Sequence, residues 1–257
     1  MIKPKELAAE RQKSLGEYIR DRGVVRIEDL SREFDISSAT VRRDLEILEE
    51  QGRIRRVHGG AMALESRLEE QMFDDKASIA FREKRRIAEK AMTMICNSET
   101  VYLDGGSTVL ELARLLVNRT DITVVTNSLR AAVELSGRGP RLILVGGELR
   151  RLSQTTVGSW TRCLIEQIHV DKAFMGTMGL SFPEGTTTTD PNEAYTKELV
   201  MSRSAKTILL ADSGKAGKVV FAKSGDIENI HTIITDKKFP AHLAKLFKKQ
   251  GITLEQV

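Results

Sequence analysis

The nine residues Ser37-Ser38-Ala39-Thr40-Val41-Arg42-Arg43-Asp44-Leu45 constrain this chain more than any other stretch. Val41, Leu45 and Leu48 recur at i, i+4 and i+7, which gives a helix one apolar stripe able to rest on a small helical core. Thr40, Arg42 and Arg43 fall off that stripe near the helix start, where the side chains of a recognition helix meet base edges and phosphates in a DNA major groove. Ser37 has the side chain of an N-cap, so the helix starts sharply after Asp35-Ile36.

The flanking residues complete a winged helix-turn-helix. A first helix is predicted over residues 7–21, with Leu15 and Ile19 on one face and Gly23 as its stop. A second is predicted over 28–34, with Ile27, Leu30 and Phe34 turned inward. After the third helix Gly52 breaks the pattern. In Arg53-Ile54-Arg55-Arg56-Val57-His58-Gly59-Gly60 the apolar Ile54 and Val57 are interleaved with basic residues, which predicts a short β-wing whose arginines lie along phosphates. The predicted DNA-facing set is Ser37, Ser38, Thr40, Arg42, Arg43, Arg53, Arg55, Arg56 and His58. Net charge does not carry this reading, because the first sixty residues hold thirteen basic against twelve acidic side chains. Clustering carries it: the arginines gather on the recognition side, and most acids sit on the first two helices and the back of the third.

At 257 residues the chain has room for roughly two domains at ~100–200 residues each. No apolar run approaches the ~20 residues that span a bilayer, and the N-terminus has no signal-peptide core, so a cytoplasmic protein without a membrane partner is expected. Cys96 and Cys163 lack metal-ligand spacing and any disulfide framework, and no motif calls for a metal or another cofactor. A sequence pI near 9.0 suits an anionic partner. The expected layout is a DNA-binding domain over 1–60, a linker over 61–78 and a second domain over 79–257.

From residue 79 the pattern becomes helix and strand in alternation. A helix is predicted over 80–96, with Ile87, Ala91 and Ile95 on one face. Strands are predicted at 101–103, 122–125, 142–145, 172–175, 207–211 and 232–235. Helices end near Leu116 and Leu135 and cover 193–202 and 241–249. Such alternation specifies an α/β domain with a mainly parallel sheet. In these sheets ligands bind at the carboxyl ends of strands, beside helix N-termini. Asp104-Gly105-Gly106-Ser107-Thr108 joins a strand directly to a helix, with glycines that let backbone N–H groups approach an anion and hydroxyls at the positive end of the helix dipole. Thr126-Asn127-Ser128 and Gly146-Gly147-Glu148 occupy equivalent positions, so three polar loops are expected to converge on one sheet edge. Glu193 and Lys197 are i, i+4 on one helix. They read either as a surface ion pair or as a lysine facing a phosphate beside a carboxylate that accepts from sugar hydroxyls. In Asp212-Ser213-Gly214-Lys215 the lysine follows a strand, where it can meet a phosphate as a point charge.

On these residues the chain resembles the DeoR family of bacterial transcriptional regulators. Arg11, the Ser-x-x-Thr-Val-Arg-Arg-Asp-Leu run at 37–45 and His58-Gly59-Gly60-Ala61 carry the resemblance at the N-terminus. Family members join a winged helix-turn-helix to a sugar-phosphate-sensing domain related in fold to ribose-5-phosphate isomerase and coenzyme A transferases. The resemblance implies an effector site lined by Asp104, Gly105, Gly106, Ser107, Thr108, Thr126, Asn127, Gly146, Gly147, Glu148, Gly176, Glu193, Lys197, Asp212 and Lys215. One departure bears on chemistry: Gly176-Thr177-Met178-Gly179 stands where relatives often show Gly-Ala-Asp, so Met178 replaces a carboxylate.

The expected function is therefore that of a DNA-binding regulator, a repressor of a carbohydrate operon. It would bind double-stranded operator DNA as a homodimer or homotetramer, with an affinity set by a small phosphorylated sugar or polyol. The competing reading is a sugar-phosphate isomerase with an appended DNA-binding domain. Isomerisation needs a positioned general base, for which Asp104, Glu148, Glu193 and Asp212 are the candidates. The complete N-terminal domain and the loss at Met178 weigh against it, and the expectation is a protein that is not an enzyme.

Overall fold

The structure, a computed structural model, describes residues 8–22, 24–51, 54–57, 59–63 and 79–257. The chain divides into two compact units, Met1–Glu69 and Glu70–Val257.

The first unit is a winged helix-turn-helix. Its elements are α1 (Ala8–Arg22), β1 (Val24–Arg26), α2 (Ile27–Glu33), α3 (Ser38–Glu50), β2 (Ile54–Val57) and β3 (Gly60–Ala63). The predicted stripes meet in one core: Leu15 and Ile19 of α1, Leu30 of α2 and Val41, Leu45 and Leu48 of α3 are all buried, with Ile54 and Ala61 beneath them. Two features differ from the sequence expectation. Val24–Arg26 is a strand, antiparallel to β3, which makes the wing the outer part of a three-stranded sheet ordered β1-β3-β2. The strand β3 also runs to Ala63, three residues into the stretch assigned to the linker. Small residues hid it, because Gly60-Ala61-Met62-Ala63 lacks the polar alternation of a half-exposed strand, while its pairing on both sides and the burial of Ala61 hold it in place. The remaining linker residues, 64–78, lie outside the described residues.

The second unit is a three-layer α/β/α domain. Its elements are α4 (Phe81–Met92), β4 (Thr100–Leu103), α5 (Ser107–Leu115), β5 (Thr123–Thr126), α6 (Leu129–Leu135), β6 (Arg141–Leu144), β7 (Glu148–Arg150), β8 (Thr155–Val157), α7 (Ser159–Glu166), β9 (Val170–Met175), β10 (Gly179–Ser181), β11 (Gly185–Thr188), α8 (Pro191–Ser202), β12 (Ser204–Leu210), β13 (Ala222–Gly225), β14 (Thr232–Thr235), α9 (Ala241–Lys249) and β15 (Thr253–Gln256). Seven strands form one sheet in the order β15-β14-β12-β9-β4-β5-β6, and every pairing in it is parallel. Successive side chains point to opposite faces, and both faces are covered. Val101, Leu103, Ile208 and Leu210 pack with α4, α5 and α6. Tyr102, Leu209 and Ala211 pack with α7, α8 and α9. The C-terminal lysines Lys245, Lys248 and Lys249 lie on α9, whose Leu243, Ala244 and Phe247 are buried.

Strand order locates the site. From β4 the chain adds β5 and β6 on one side, then returns to place β9, β12, β14 and β15 on the other. The direction of winding therefore reverses between β4 and β9, and the connections leaving their carboxyl ends diverge. Such a switch point opens a crevice at the end of the sheet. Two short units, the β7–β8 hairpin and the three-stranded β10-β11-β13 sheet, are absent from the sequence expectation.

Candidate nucleic-acid interface and effector cleft

In the first unit the recognition helix α3 begins where Ser37 predicts. Ser37 lies in extended conformation, and its Oγ accepts from the Thr40 N–H at 3.2 Å. The Thr40 hydroxyl lies 2.9 Å from the same Oγ. Both hydroxyls are thus engaged in the cap, Ser38 opens the helix, and Arg42 and Arg43 project from it exposed. Asp44, on the opposite side, is buried and clamped: Arg11 Nε and Nη2 donate to its two oxygens at 2.7 and 3.2 Å, and Gln12 Nε2 donates at 2.9 Å. The Arg11 and Asp44 of the resemblance therefore tie α1 to α3 and fix how the arginines beside Asp44 are presented.

Arg56, exposed on the wing, also carries ion pairs within the unit. Its Nη1 lies 2.6 Å from a Glu46 carboxylate oxygen, its Nε lies 3.6 Å from Glu49, and its backbone N–H donates to Glu49 at 2.8 Å. The guanidinium is directed at acids of α3, so it anchors the wing to the helix. Arg55 is paired with Met62 in the β-ladder, and its side chain lies outside the described residues, as do Arg53 and His58.

In the second unit a cleft opens at the switch point. It is a shallow, partly open cleft walled by polar and charged side chains. Of the residues implied by the resemblance, Gly105, Gly106, Ser107, Thr108, Gly176, Glu193, Lys197, Asp212 and Lys215 line it together. They come from the ends of β4, β9 and β12 and from α8. Gly105 must be glycine because a Cβ there would stand 2.2 Å from Thr155 Cγ2. Gly106, at φ +121°, adopts a backbone that L side chains rarely take and so lets α5 start at once.

Asp104 lies just behind the lining and organises it. The carboxylate accepts from the Gly176 N–H at 2.9 Å and is ion-paired with Lys197, both side chains being buried. The Lys197 ammonium also donates to the Gly176 carbonyl at 3.1 Å and stands 3.8 Å from Glu193. Glu193 is met in turn by Arg150 of β7 at 3.3 Å, and Arg150 reaches Asp190 at 3.4 Å. Asp190 caps α8 by accepting from the Glu193 N–H at 2.9 Å, so α8 begins at Pro191, two residues before the predicted start. The pair Glu193–Lys197 is thus buried, part of a chain of alternating charge running from β7 to β4, and not a solvated surface pair. Asp212 turns back to accept from the Gly214 N–H at 3.0 Å, which shapes the short helical turn that carries Lys215.

Thr126, Asn127, Gly146, Gly147 and Glu148 are not among the residues that line the cleft. The Thr126 hydroxyl donates to the Leu103 carbonyl at 2.6 Å and Asn127 Nδ2 to the Thr156 carbonyl at 2.9 Å. The Gly146 carbonyl accepts from the Thr161 hydroxyl at 2.8 Å, Gly147 packs against the same Thr161 side chain, and Glu148 is exposed at the start of β7. The reason is strand order: β5 and β6 lie one and two strands beyond β4, at about 4.8 Å per strand, on the far side from β9. These loops instead hold the β7–β8 hairpin, which delivers Ser153 to the cleft and Arg150 to Glu193.

Several lining residues escaped the sequence reading, among them Lys84 of α4, Ser153 of the hairpin, Thr177, Leu210 and Ala211. Lys84 had a visible signal. It stands three, four and seven residues before Ile87, Ala88 and Ala91, on the core-facing stripe of α4, where lysine is out of place. Met178 also lines the cleft and puts a thioether in its wall.

Comparison with known proteins finds matches in both units. Residues 11–67 match the family described as the DeoR-like helix-turn-helix domain, and residues 79–237 match the DeoR C terminal sensor domain. The HTH-type transcriptional regulator GlpR of Haloferax volcanii is 36% identical over 96% of this chain and 97% of its own length. The HTH-type transcriptional regulator GolR of Listeria innocua is 36% identical over the same shares. The glycerol-3-phosphate regulon repressor of Escherichia coli K12 is 32% identical over 96% of this chain and 98% of its own. Among solved structures, ribose 5-phosphate isomerase A of Methanocaldococcus jannaschii aligns over 52% of this chain and 53% of its own, at 16% identity and a TM-score of 0.39. Matches to both halves, together with relatives above 30% identity along nearly the whole length, make this chain a member of the DeoR family of DNA-binding transcriptional regulators, not an enzyme.

Proposed function

We propose that this protein is a cytoplasmic repressor of a carbohydrate-metabolism operon that binds its operator as a homodimer or homotetramer. A small phosphorylated sugar or polyol, seated in the cleft at the sheet switch point, sets its affinity for DNA. The observation that carries the reading is the composition of the cleft. Lys84 and Lys215 share it with the N-terminus of α5 and its Ser107 and Thr108 hydroxyls, while Glu193, ion-paired with Lys197, supplies a carboxylate. A phosphoryl group suits the first set through charge and N–H donors, and hydroxyls suit the second. The Escherichia coli relative, a repressor named for glycerol-3-phosphate, supports the same ligand class.

The DNA contacts in this reading come from Arg42 and Arg43 of α3, with Ser37, Ser38, Thr40, Arg53, Arg55 and His58 around them. Symmetric half-sites follow from a two-fold assembly. By linkage the ligand changes DNA affinity only through its differential affinity for two states, typically ~1–3 kcal/mol or 5–150-fold.

The test is a thermal-shift screen of the full chain against sugar and polyol phosphates and their unphosphorylated parents. A ligand at 100 times its Kd stabilises the folded state by about 2.7 kcal/mol, which moves Tm by several degrees. A shift that needs the phosphoryl group supports the reading. A panel without effect, in protein that still binds DNA, overturns it.

A further inference from the structure

We infer that strand β6, the open edge of the seven-stranded sheet, is the surface through which two copies of this chain associate, antiparallel across a two-fold axis at Ile143. The inference rests on the oligomeric reading above and gives it a surface. β6 pairs with β5 alone, so its other side presents unpaired backbone groups. Natural edges are blunted by lysine, proline or a bulge, and none of these interrupts Arg141-Leu142-Ile143-Leu144-Val145. Ile143 and Leu144 point to opposite faces of the sheet and are 38% and 48% exposed, where a parallel sheet ordinarily has both faces covered. The other edge is unlike it: β15 carries the polar Thr253, Glu255 and Gln256, and Glu255 is paired with Lys90 at 3.3 Å. The apolar exposure continues onto α7. The Thr161 hydroxyl donates to the Gly146 carbonyl at 2.8 Å, which fastens the start of α7 to the turn leaving β6. Trp160, next to Thr161, is 78% exposed, and Leu164, one helical turn on, is exposed as well. A contiguous apolar patch of this kind marks an interaction surface.

Backbone geometry and charge select a second copy as the occupant. The Arg141 and Val145 N–H groups donate inward, to the Ile122 and Thr126 carbonyls at 3.2 and 2.8 Å. Alternation along the strand then turns the N–H and C=O groups of Leu142 and Leu144 outward. Two antiparallel copies satisfy all of these groups in one register. Leu142 exchanges both bonds with the partner's Leu144, Leu144 does the same with the partner's Leu142, and Ile143 faces the partner's Ile143 on the axis. The charges at the two ends of the strand agree with this register. Arg141 and Glu148 are both exposed, and neither has an ion-pair partner among the described residues. In the antiparallel pair Arg141 stands opposite the partner's Val145, three residues from the partner's Glu148, and the two-fold repeats the contact at the other end. A foreign strand would fill the same edge, but a second copy brings the matching charge to both ends at once.

The test uses the full chain, with mass measured by light scattering after gel filtration. Wild type should run at twice the 28.7 kDa of one chain or more. Ile143→Arg sets like charges against each other on the axis and should weaken association about a hundredfold or more, halving the mass. Arg141→Glu and Glu148→Arg should each weaken association about tenfold, and the double exchange should restore it. A cross-link supplies a readout that does not depend on weakening anything. In a Cys96→Ser, Cys163→Ser background, Ile143→Cys should form an intersubunit disulfide on mild oxidation, because Cα atoms of such a facing pair lie about 4.5 Å apart. Leu142→Cys should not, since its copies lie beyond the ~7 Å that a disulfide spans. Trp160 is the single tryptophan of the chain, so its emission should shift to the red as dilution dissociates the assembly; unchanged emission would overturn the extension onto α7. If wild type is oligomeric, yet Ile143→Arg keeps its mass or Ile143→Cys does not cross-link, the surface is wrong and the oligomeric reading stands. If wild type is a monomer at every concentration, both fall together.

Discussion

Replacing Lys197 by methionine removes one partner of a buried ion pair and leaves the other in place. Asp104 and Lys197 have side chains 3% and 4% exposed, and the Asp104 carboxylate would keep the Gly176 N–H at 2.9 Å as a donor. Breaking a buried pair on one side costs about 3–5 kcal/mol, because the remaining charge stays desolvated. The expected loss is thus a large part of the ~5–15 kcal/mol that holds a domain folded. Lys197→Met should lower the urea midpoint of the sensor domain accordingly, with the slope m unchanged. Asp104→Asn should cost less, since an amide oxygen can still accept from Gly176. The double variant should recover much of the loss, because an uncharged pair has no charge to desolvate. The double-mutant cycle should show a coupling of at least about 1 kcal/mol. If each single variant costs under about 1 kcal/mol and the effects add within ~0.5 kcal/mol, the pair is not the brace described here. A variant that keeps full stability but loses only ligand response would restore Lys197 to the phosphate-facing role that its sequence position suggests.

Three further outcomes are expected. Arg42→Ala should weaken operator binding in a mobility-shift assay by about 1–3 kcal/mol, whereas Arg56→Ala, whose guanidinium is held by Glu46 and Glu49, should change it little; equal losses would contradict the placement of Arg56. Burial alone would raise the Asp236 carboxyl, but N–H bonds from Ser213 and Lys238 and the Ser213 hydroxyl outweigh it and hold the group below the ordinary carboxylate range. Its folded-state value is depressed, so its contribution is present above about pH 3.9 and lost as pH falls through the folded value; acid unfolding of Asp236→Asn should lack that part of the pH dependence, and an unchanged acid limb would refute the assignment. Gly105→Ala drives a Cβ onto Thr155 and should destabilise by about 1–3 kcal/mol, with Thr155→Ser, which deletes the offending methyl, restoring most of it in thermal melts.

What was legible in the sequence was local. Ser37 announced its helix, the stripes of α1, α3 and α4 announced a core, and the parallel strands announced themselves as short apolar runs between helices. The units that went unread have no local signature. Thr186, Thr187 and Thr188 are buried in β11, yet a run of threonines shows no alternation. That strand is held between β10 and the distant Gly225, Lys223 and Ala222, more than thirty residues away. The candidate cleft divides along the same line. The loops after β4, β9 and β12 meet there, whereas the equally polar loops after β5 and β6 do not, and only strand order separates the two sets. Lys84 was within reach of the sequence, as a charge sitting where the helical period demands an apolar residue.

The pair Glu193–Lys197 shows most directly why spacing alone underdetermines chemistry. Two residues at i, i+4 on a helix always face one way, and the same spacing fits a solvated pair, a ligand grip or a structural brace. Which of these it becomes is decided by what the fold brings up from elsewhere. Here β4 supplies Asp104 to one end and β7 supplies Arg150 to the other, so positive and negative groups alternate from Arg150 through Glu193 and Lys197 to Asp104. In that arrangement each carboxylate meets a cation, and the lysine at its centre lies between two acids. An incoming phosphoryl group gains least beside such a lysine, because the flanking carboxylates repel it. The same carboxylates favour hydroxyl donors. Under the proposed function, a phosphorylated polyol would therefore turn its hydroxyls toward Glu193 and its phosphoryl group toward the start of α5.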